Sequence, residues 1–148
     1  MIVFLDTEFT DLIEPQLLSV GIVTGKSEFY VEVTDGDRIH AASRFASTVV
    51  LSQFGRVADA ACPYAEIGVR VSTFFAHLLT SLALNETIEV AYESDIDWKF
   101  LRRAIEDASG VRWSLLAATL RPVNVYNMAG FEAGQLAAEA QEQRPEGP

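Results

Sequence analysis

Two acidic side chains, Asp6 and Glu8, follow a run of five apolar residues at the start of the chain. Residues two apart on an extended backbone project from the same face, so both carboxylates can enter one pocket. Two carboxylates in one pocket repel each other unless a proton or a cation offsets their charge, and such oxygen ligands suit hard divalent cations. The pair therefore predicts a metal site at the end of a strand. The alternative is a pair of solvated loop acids.

A third acidic residue, Asp97, opens a predicted helix that follows a short predicted strand over 87–92. In open α/β sheets, ligands bind outside the carboxyl ends of the strands. If this strand and the first strand are parallel neighbours, Asp97 converges on Asp6 and Glu8. Asp95 competes for the same role, and we expect one of the two acids to cap the helix while the other binds. The alternative for Asp97 is a first-turn acid stabilised by the helix dipole.

The strands that must position these acids are indicated by apolar periodicity. Residues 1–5 form an unbroken apolar run, which predicts a central strand covered on both faces. The apolar stretch 17–23 predicts a second strand, and alternation over 28–33 predicts a third, half-exposed strand after a tight turn at Gly25. Together these strands would form an antiparallel meander.

The rest of the chain is predicted to alternate helices with strands, which favours a mixed sheet flanked by helices. At 148 residues the chain is expected to form one domain. The predicted elements are one or two short helices within 39–57, an amphipathic helix from Ile67 to near Asn85, a helix from Ser94 or Asp95 to Gly110, strand and loop over 113–125, and a helix over 131–143.

Composition narrows the function class. The chain has 21 acidic and 11 basic side chains, a net charge of −10, which disfavours a protein that grips long duplex through its phosphates. This charge is compatible with an enzyme that holds a short strand end through bound cations. Apolar runs fall far short of the roughly 20 residues of a membrane span. We expect a cytoplasmic protein whose single cysteine, Cys62, is buried.

The residues around Asp6 resemble the first motif of the DEDD 3′-to-5′ exonucleases, which have a ribonuclease H-like fold. In oligoribonucleases that motif is Asp-x-Glu-x-Thr-Gly-Leu, and this chain has Asp6-Thr7-Glu8-Phe9-Thr10-Asp11-Leu12, with Asp11 in place of the glycine. The second motif, Asp-x-x-Phe-Leu, is similar to Asp97-Trp98-Lys99-Phe100-Leu101, which selects Asp97 over Asp95. The chain looks most like the small bacterial stand-alone 3′-to-5′ exoribonucleases.

The resemblance implies that Asp6, Glu8 and Asp97 ligate two Mg²⁺ or Mn²⁺ ions at the terminal phosphodiester. The implied activity is hydrolysis at the 3′ end of RNA, or of single-stranded DNA, by a two-metal mechanism. Similar enzymes are often homodimers, for which the apolar patch 49–54 could serve. The resemblance also implies substrate contacts by Thr7, Phe9 and Leu12. For Phe9 and Leu12 the alternative is ordinary core packing.

The family's third motif, a His or Tyr followed closely by a fourth Asp on the last helix, has no counterpart. No aspartate follows Asp107, and neither His40 nor His77 has an aspartate at a suitable distance downstream. We therefore expect that the chain lacks its C-terminal catalytic helix or is a degenerate relative, and that these 148 residues turn over slowly, if at all. The competing function is a non-catalytic ribonuclease H-like module that binds nucleic acid. A phosphatase with Asp6 as nucleophile would need an aspartate at position 8.

Overall fold

The fold is α/β, with a six-stranded mixed sheet flanked by helices, an arrangement consistent with the ribonuclease H-like fold. A computed structural model describes residues 1–126. The strands are β1 (Ile2–Phe9), β2 (Leu17–Val23), β3 (Glu28–Val33), β4 (Ala61–Cys62), β5 (Ile88–Tyr92) and β6 (Leu120–Asn124). The helices are α1 (Gly36–His40), α2 (Tyr64–Leu79), α3 (Asp95–Glu106) and α4 (Trp113–Ala117), with a π-helical turn over Ala46–Val50 and a 3₁₀ turn over Leu51–Gln53.

The sheet has the order β4-β3-β2-β1-β5-β6, so β1 lies in its interior. The first three strands form the predicted antiparallel meander. Strand β5 pairs with β1 in parallel, with Val3 opposite Val90, and β6 continues the parallel half. The first strand and the 87–92 strand are thus parallel neighbours, which is the condition under which Asp97 was expected to converge on Asp6 and Glu8, and the carboxyl ends of β1 and β5 meet at one edge.

The core lies between one face of the sheet and helices α2 and α3. Val3 and Leu5 of β1 are buried there with Phe75 of α2 and Leu101 of α3. Each such side chain contributes about 1.5–3 kcal/mol relative to an exposed one. Gly68 brings the two helices close together, because a Cβ at this position would overlap the carbonyl oxygen of Ala104.

The opposite face of β1 is open over the residues that the structure describes. Ile2 and Phe4 are 53% and 58% exposed, so the expectation of a strand covered on both faces was wrong for this part of the chain. The prediction that this strand is central was confirmed, because β1 lies between β2 and β5. An unbroken apolar run indicates that a strand is interior to a sheet, but it does not say which segment covers each face.

Several element boundaries differ from the sequence expectations. Helix α2 ends at Leu79 rather than near Asn85, because the chain turns at Thr80, whose hydroxyl donates to the His77 carbonyl. Asn85 instead adopts a left-handed conformation, with φ of 68°. Helix α3 ends at Glu106, ahead of the left-handed Gly110.

The segments with weak periodicity were predicted only in part. Residues 39–57 contain the end of α1 and the two short turns, and 113–125 begins with a helix, α4, that was not expected. Pro122 lies in β6, the outermost strand of the sheet over residues 1–126, where a missing N–H is tolerated. Cys62 is buried, as predicted. The predicted helix over 131–143 lies outside the described residues.

In the 49–54 patch, Val49 is exposed, whereas Val50 is buried and Phe54 is partly buried. No helix within residues 1–126 is long and apolar enough to cross a membrane.

Candidate functional site

Asp6 and Glu8 lie on the open face of β1 because the strand alternates. Leu5 and Thr7 point into the core, and the two acids between and after them point the other way. Asp6 is opposite Gly21 on β2, and Glu8 is opposite Ser19. The pairing register shifts immediately after Glu8, where the strand approaches its end. Both carboxylates therefore leave the same face of the sheet, as the spacing predicted.

Asp97 lies in the first turn of α3 and reaches the same region from the neighbouring strand–helix connection. It is only 5% exposed, and its Oδ1 accepts a 2.6 Å hydrogen bond from the Thr7 hydroxyl. Asp6 and Asp97 line one cavity of about 700 Å³, and Asp6 and Glu8 line a second cavity of about 320 Å³. Asp6 thus belongs to both cavities and connects the two other acids.

The electrostatics of the three acids are unfavourable in the absence of a counter-charge. Burial, followed by repulsion from Asp97 and Glu93, raises the pKa of Asp6. Burial, followed by repulsion from Asp6 and Asp97, raises the pKa of Glu8. Burial also raises the pKa of Asp97, and the hydrogen bond from Thr7 acts in the opposite direction. Each carboxylate is therefore harder to ionise than in water, and a bound cation would relieve this cost.

The donor set fits a hard divalent cation in chemical type, because it consists only of carboxylate oxygens. Over residues 1–126, however, no group of three or more His, Cys, Asp or Glu side chains is drawn together closely enough to form a complete metal site. The structure brings Asp6, Glu8 and Asp97 to one region and within electrostatic reach of one another.

Thr7 is a residue whose side-chain position was not expected. The resemblance implied a backbone contact to the substrate, whereas the side chain is buried and holds Asp97. This hydroxyl links the two motifs across 90 residues of sequence. A threonine between two acids on a strand must point away from them, and this alternation was the available signal.

Phe9 and Leu12 flank the acids on the side where β1 ends. Phe9 is partly buried and packs against Phe100 of α3, with ring centroids 5.8 Å apart. Leu12 is 85% exposed, which excludes core packing for this residue within the described part of the chain. Both residues line a cavity that Glu8 also lines.

Asp11 replaces the glycine of the resembled motif and closes the turn after β1. Its Oδ1 accepts hydrogen bonds from the backbone N–H groups of Ile13 and Glu14, at 2.9 and 2.8 Å. Aspartate commonly makes this kind of turn. The departure from the motif therefore supplies a local turn that presents Leu12 to solvent.

Asp95, the competitor of Asp97, lies outside the cavity of Asp6 and Asp97. Its Oδ1 accepts a 2.9 Å hydrogen bond from the Asn124 amide, which ties α3 to β6. The expectation that one of the two acids caps the helix was wrong, because Ser94 occupies the cap position and the helix start has no side-chain cap bond.

Sequence reasoning missed further polar groups around the acids. Glu93 follows β5 directly, lines the cavity with Asp6 and raises its pKa. Its position two residues after Ala91 and four after Glu89, on the same side of the extended backbone, could have indicated it. On the other side of Glu8, β2 and β3 contribute Ser19, Tyr30 and Glu32. These residues could be found only with the strand register.

The third motif has no counterpart in the described part of the chain. His40 and His77 are exposed, in α1 and in the last turn of α2, and neither lines a cavity with Asp6. Among known proteins, no family model matches the chain and no characterised protein is significantly similar to it.

Proposed function

We propose that the protein is a divalent-metal-dependent 3′-to-5′ exonuclease that hydrolyses the terminal phosphodiester of RNA, or of single-stranded DNA. The observation that carries the proposal is the gathering of Asp6, Glu8 and Asp97 at the carboxyl ends of the parallel neighbours β1 and β5. Without a bound cation, three carboxylates that repel one another at such an edge lower folding stability, so their presence supports a metal-binding role.

Mg²⁺ or Mn²⁺ is the proposed cofactor, held by Asp6, Glu8 and Asp97. The chemistry that two bound ions would supply is a more acidic water and positive charge beside the departing 3′ oxygen. The protein's own contribution is orientation. Thr7 fixes one oxygen of Asp97, and the alternation of β1 keeps Asp6 and Glu8 on one side.

The proposed substrate contacts are the apolar side chains beyond Glu8. Leu12 is exposed on a turn that Asp11 closes, and Phe9 offers part of its ring beside the same cavity. Stacking and apolar contacts of this kind tolerate any base. The proposed substrate is therefore a strand end rather than a specific sequence.

The test compares Asp97→Asn with Asp95→Asn in the full-length gene product. With Mn²⁺ and a single-stranded RNA labelled at its 5′ end, the unaltered protein and Asp95→Asn should produce a ladder that shortens from the 3′ end. Asp97→Asn should lose at least about 100-fold of the rate, because a metal ligand is lost. Equal activity of the two variants would refute the proposal.

A second candidate is a ribonuclease H-like module that binds nucleic acid without cleaving it. The specific observation in its favour is that residues 1–126 hold neither a completed metal group nor a histidine beside the acids. Mn²⁺-dependent binding of the RNA by the unaltered protein, with no shortening of the strand, would select this candidate.

A cytoplasmic location and a homodimer belong to the same proposal. A chain with one buried cysteine suits a reducing compartment. The dimer prediction was made for the patch 49–54, in which Val49 is the exposed large apolar residue.

A further inference from the structure

A row of buried polar side chains lies next to Glu8. In the strand register, Glu8 is opposite Ser19 on β2, and Ser19 is opposite Glu32 on β3. Ser19 and Glu32 are each 3% exposed. The Glu32 carboxylate accepts a 2.9 Å hydrogen bond from the Tyr30 hydroxyl and a 2.8 Å hydrogen bond from the Gly55 N–H. The buried Glu32 carboxylate is therefore satisfied by two hydrogen-bond donors, and it is not one of the proposed metal ligands.

Tyr30 faces the acids across a glycine. Asp6 is opposite Gly21, and Gly21 is opposite Tyr30. Adjacent strands lie about 4.8 Å apart, so the backbones of Asp6 and Tyr30 are about 9.6 Å apart with no side chain between them. This space belongs to the cavity of about 320 Å³ that Asp6, Glu8, Gly21 and Tyr30 line. It is wide enough for one sugar ring.

The Tyr30 hydroxyl has a fixed polarity. Burial, with the hydrogen bond to Glu32 next, raises the pKa of Tyr30 to about 12, so the phenol stays protonated at neutral pH. Its O–H group donates a hydrogen bond to the Glu32 carboxylate. The Ser19 side chain acts on the Tyr30 pKa in the opposite direction, and the carboxylate of Glu8 is near enough to raise it further. Toward the cavity, the phenol can therefore only accept a hydrogen bond.

We propose that Tyr30 determines sugar specificity: its phenol oxygen accepts a hydrogen bond from the ribose 2′-hydroxyl of the terminal nucleotide and so favours RNA over DNA. Glu32 is a positioning residue, because it fixes the direction of the phenol proton. Phosphate oxygens only accept hydrogen bonds, whereas the 2′-hydroxyl is a donor that RNA has and DNA lacks. The inference deepens the proposed function and rests on it.

The test measures binding of uridine 5′-monophosphate and of 2′-deoxyuridine 5′-monophosphate to the full-length protein in Mn²⁺. The unaltered protein should bind the ribonucleotide about 3- to 10-fold more tightly, the equivalent of one neutral hydrogen bond. Tyr30→Phe should bind the two equally, with unchanged affinity for the deoxynucleotide. Glu32→Gln should reduce the preference, because a neutral amide oxygen accepts more weakly than a carboxylate and holds the phenol proton less firmly.

Tyr64→Phe is the matched control. The Tyr64 hydroxyl donates to the Asp107 carboxylate at 2.6 Å, and its pKa is also raised to about 12, but Tyr64 does not line the cavity of Asp6 and Glu8. This variant should keep the full preference. A purely structural role for Tyr30 predicts instead that Tyr30→Phe weakens both nucleotides by the same factor, which would overturn the inference.

The outcomes separate this inference from the proposed function. Equal binding of the two nucleotides by the unaltered protein overturns the inference while leaving the exonuclease proposal to its own test. Binding of neither nucleotide overturns both. A ribose preference that depends on Tyr30, in a protein that does not shorten RNA, supports the inference and overturns the catalytic proposal.

Discussion

Thr7→Val is the substitution that most directly tests whether the buried threonine holds Asp97. Valine has nearly the shape of threonine, so the packing of this 4% exposed side chain is retained while its hydroxyl is removed. The Asp97 Oδ1 then loses its 2.6 Å donor at a position where Asp97 is itself 5% exposed. Little water can reach the carboxylate to replace the lost hydrogen bond.

The expected cost follows from the charge of the acceptor. A hydrogen bond to a charged group contributes about 1.5–3 kcal/mol, against about 0.5–1.5 kcal/mol for a neutral pair. For a chain of this length, each kcal/mol corresponds to about 2–4 °C in the melting temperature, so Thr7→Val should melt about 3–12 °C lower at pH 7. In a protein that already carries Asp97→Asn, Thr7→Val should cost only the about 0.5–1.5 kcal/mol of a neutral hydrogen bond.

The cost should also depend on pH. Loss of the Thr7 donor removes an interaction that lowers the pKa of Asp97, so the pKa in the folded variant rises further. The folded variant then binds protons more strongly than the unaltered protein does. Its stability deficit should be small at pH 4 and grow as the pH rises.

Urea unfolding of the four proteins in this cycle, at pH 4 and pH 7, measures both effects. Thr7→Ser is the control, because it keeps the hydroxyl and should lose less stability than Thr7→Val at pH 7. Thr7→Val could instead destabilise the protein equally whether position 97 carries its natural aspartate or the Asp97→Asn substitution. That result would show that the hydroxyl does not hold the carboxylate, and the link between the two motifs would have to be abandoned.

Four further predictions concern the metal, the acids, the substrate surface and the core. In thermal melts, Mn²⁺ at about 100 times its dissociation constant should stabilise the unaltered protein by about 2.7 kcal/mol. It should not stabilise Asp6→Asn, whereas the control Asp95→Asn should be stabilised like the unaltered protein. Without metal, the unfolding free energy should fall as the pH rises through the pKa values of Asp6 and Glu8, which are raised above their ordinary 3.8 and 4.5. The reason is that the folded state binds more protons than the unfolded state in this range. Urea midpoints that rise over the same range would contradict the assignment. Leu12→Ser should change the unfolding free energy by less than about 0.5 kcal/mol but weaken RNA binding, and equal binding would remove Leu12 from the substrate surface. Gly68→Ala should lower the unfolding free energy, measured by urea unfolding, by about 1–3 kcal/mol, because the added Cβ overlaps the Ala104 carbonyl. Gly25→Ala is the control and should not lower it, because there is open space around Gly25.

The regular elements were predictable because their periodicity is strong. Apolar residues alternate along β3 and recur at steps of three and four along α2 and α3. Each pattern marks the face of the element that is buried, and it can be recognised from the sequence alone. The turns between 46 and 53 have no such signal, since only Ala46 and Val50 among their residues are buried. Helix α4 is a single short turn of five residues, too short for its periodicity to be recognised.

The acids of the site were predictable, and their surroundings were not. Asp6 and Glu8 share a strand, and Asp97 follows its parallel neighbour, so strand topology is sufficient to bring them together. The Thr7–Asp97 hydrogen bond and the Tyr30–Glu32 pair depend on the orientation of individual side chains and on the register of three strands. Changing that register by one residue would turn Tyr30 to the opposite face.

The acidic character of the chain and the geometry of the site support the same interpretation. A protein of net charge −10 repels phosphates at long range, and the carboxylates of Asp6, Glu8 and Asp97 repel them at short range. If the proposed function is right, nucleic acid would approach this edge together with cations that neutralise both partners. The proposed divalent ions would relieve the repulsion that contributes to the raised pKa values of Asp6 and Glu8. They would also supply the positive charge that a basic binder obtains from lysine. An acidic protein with this site therefore needs no basic surface to act on a strand end.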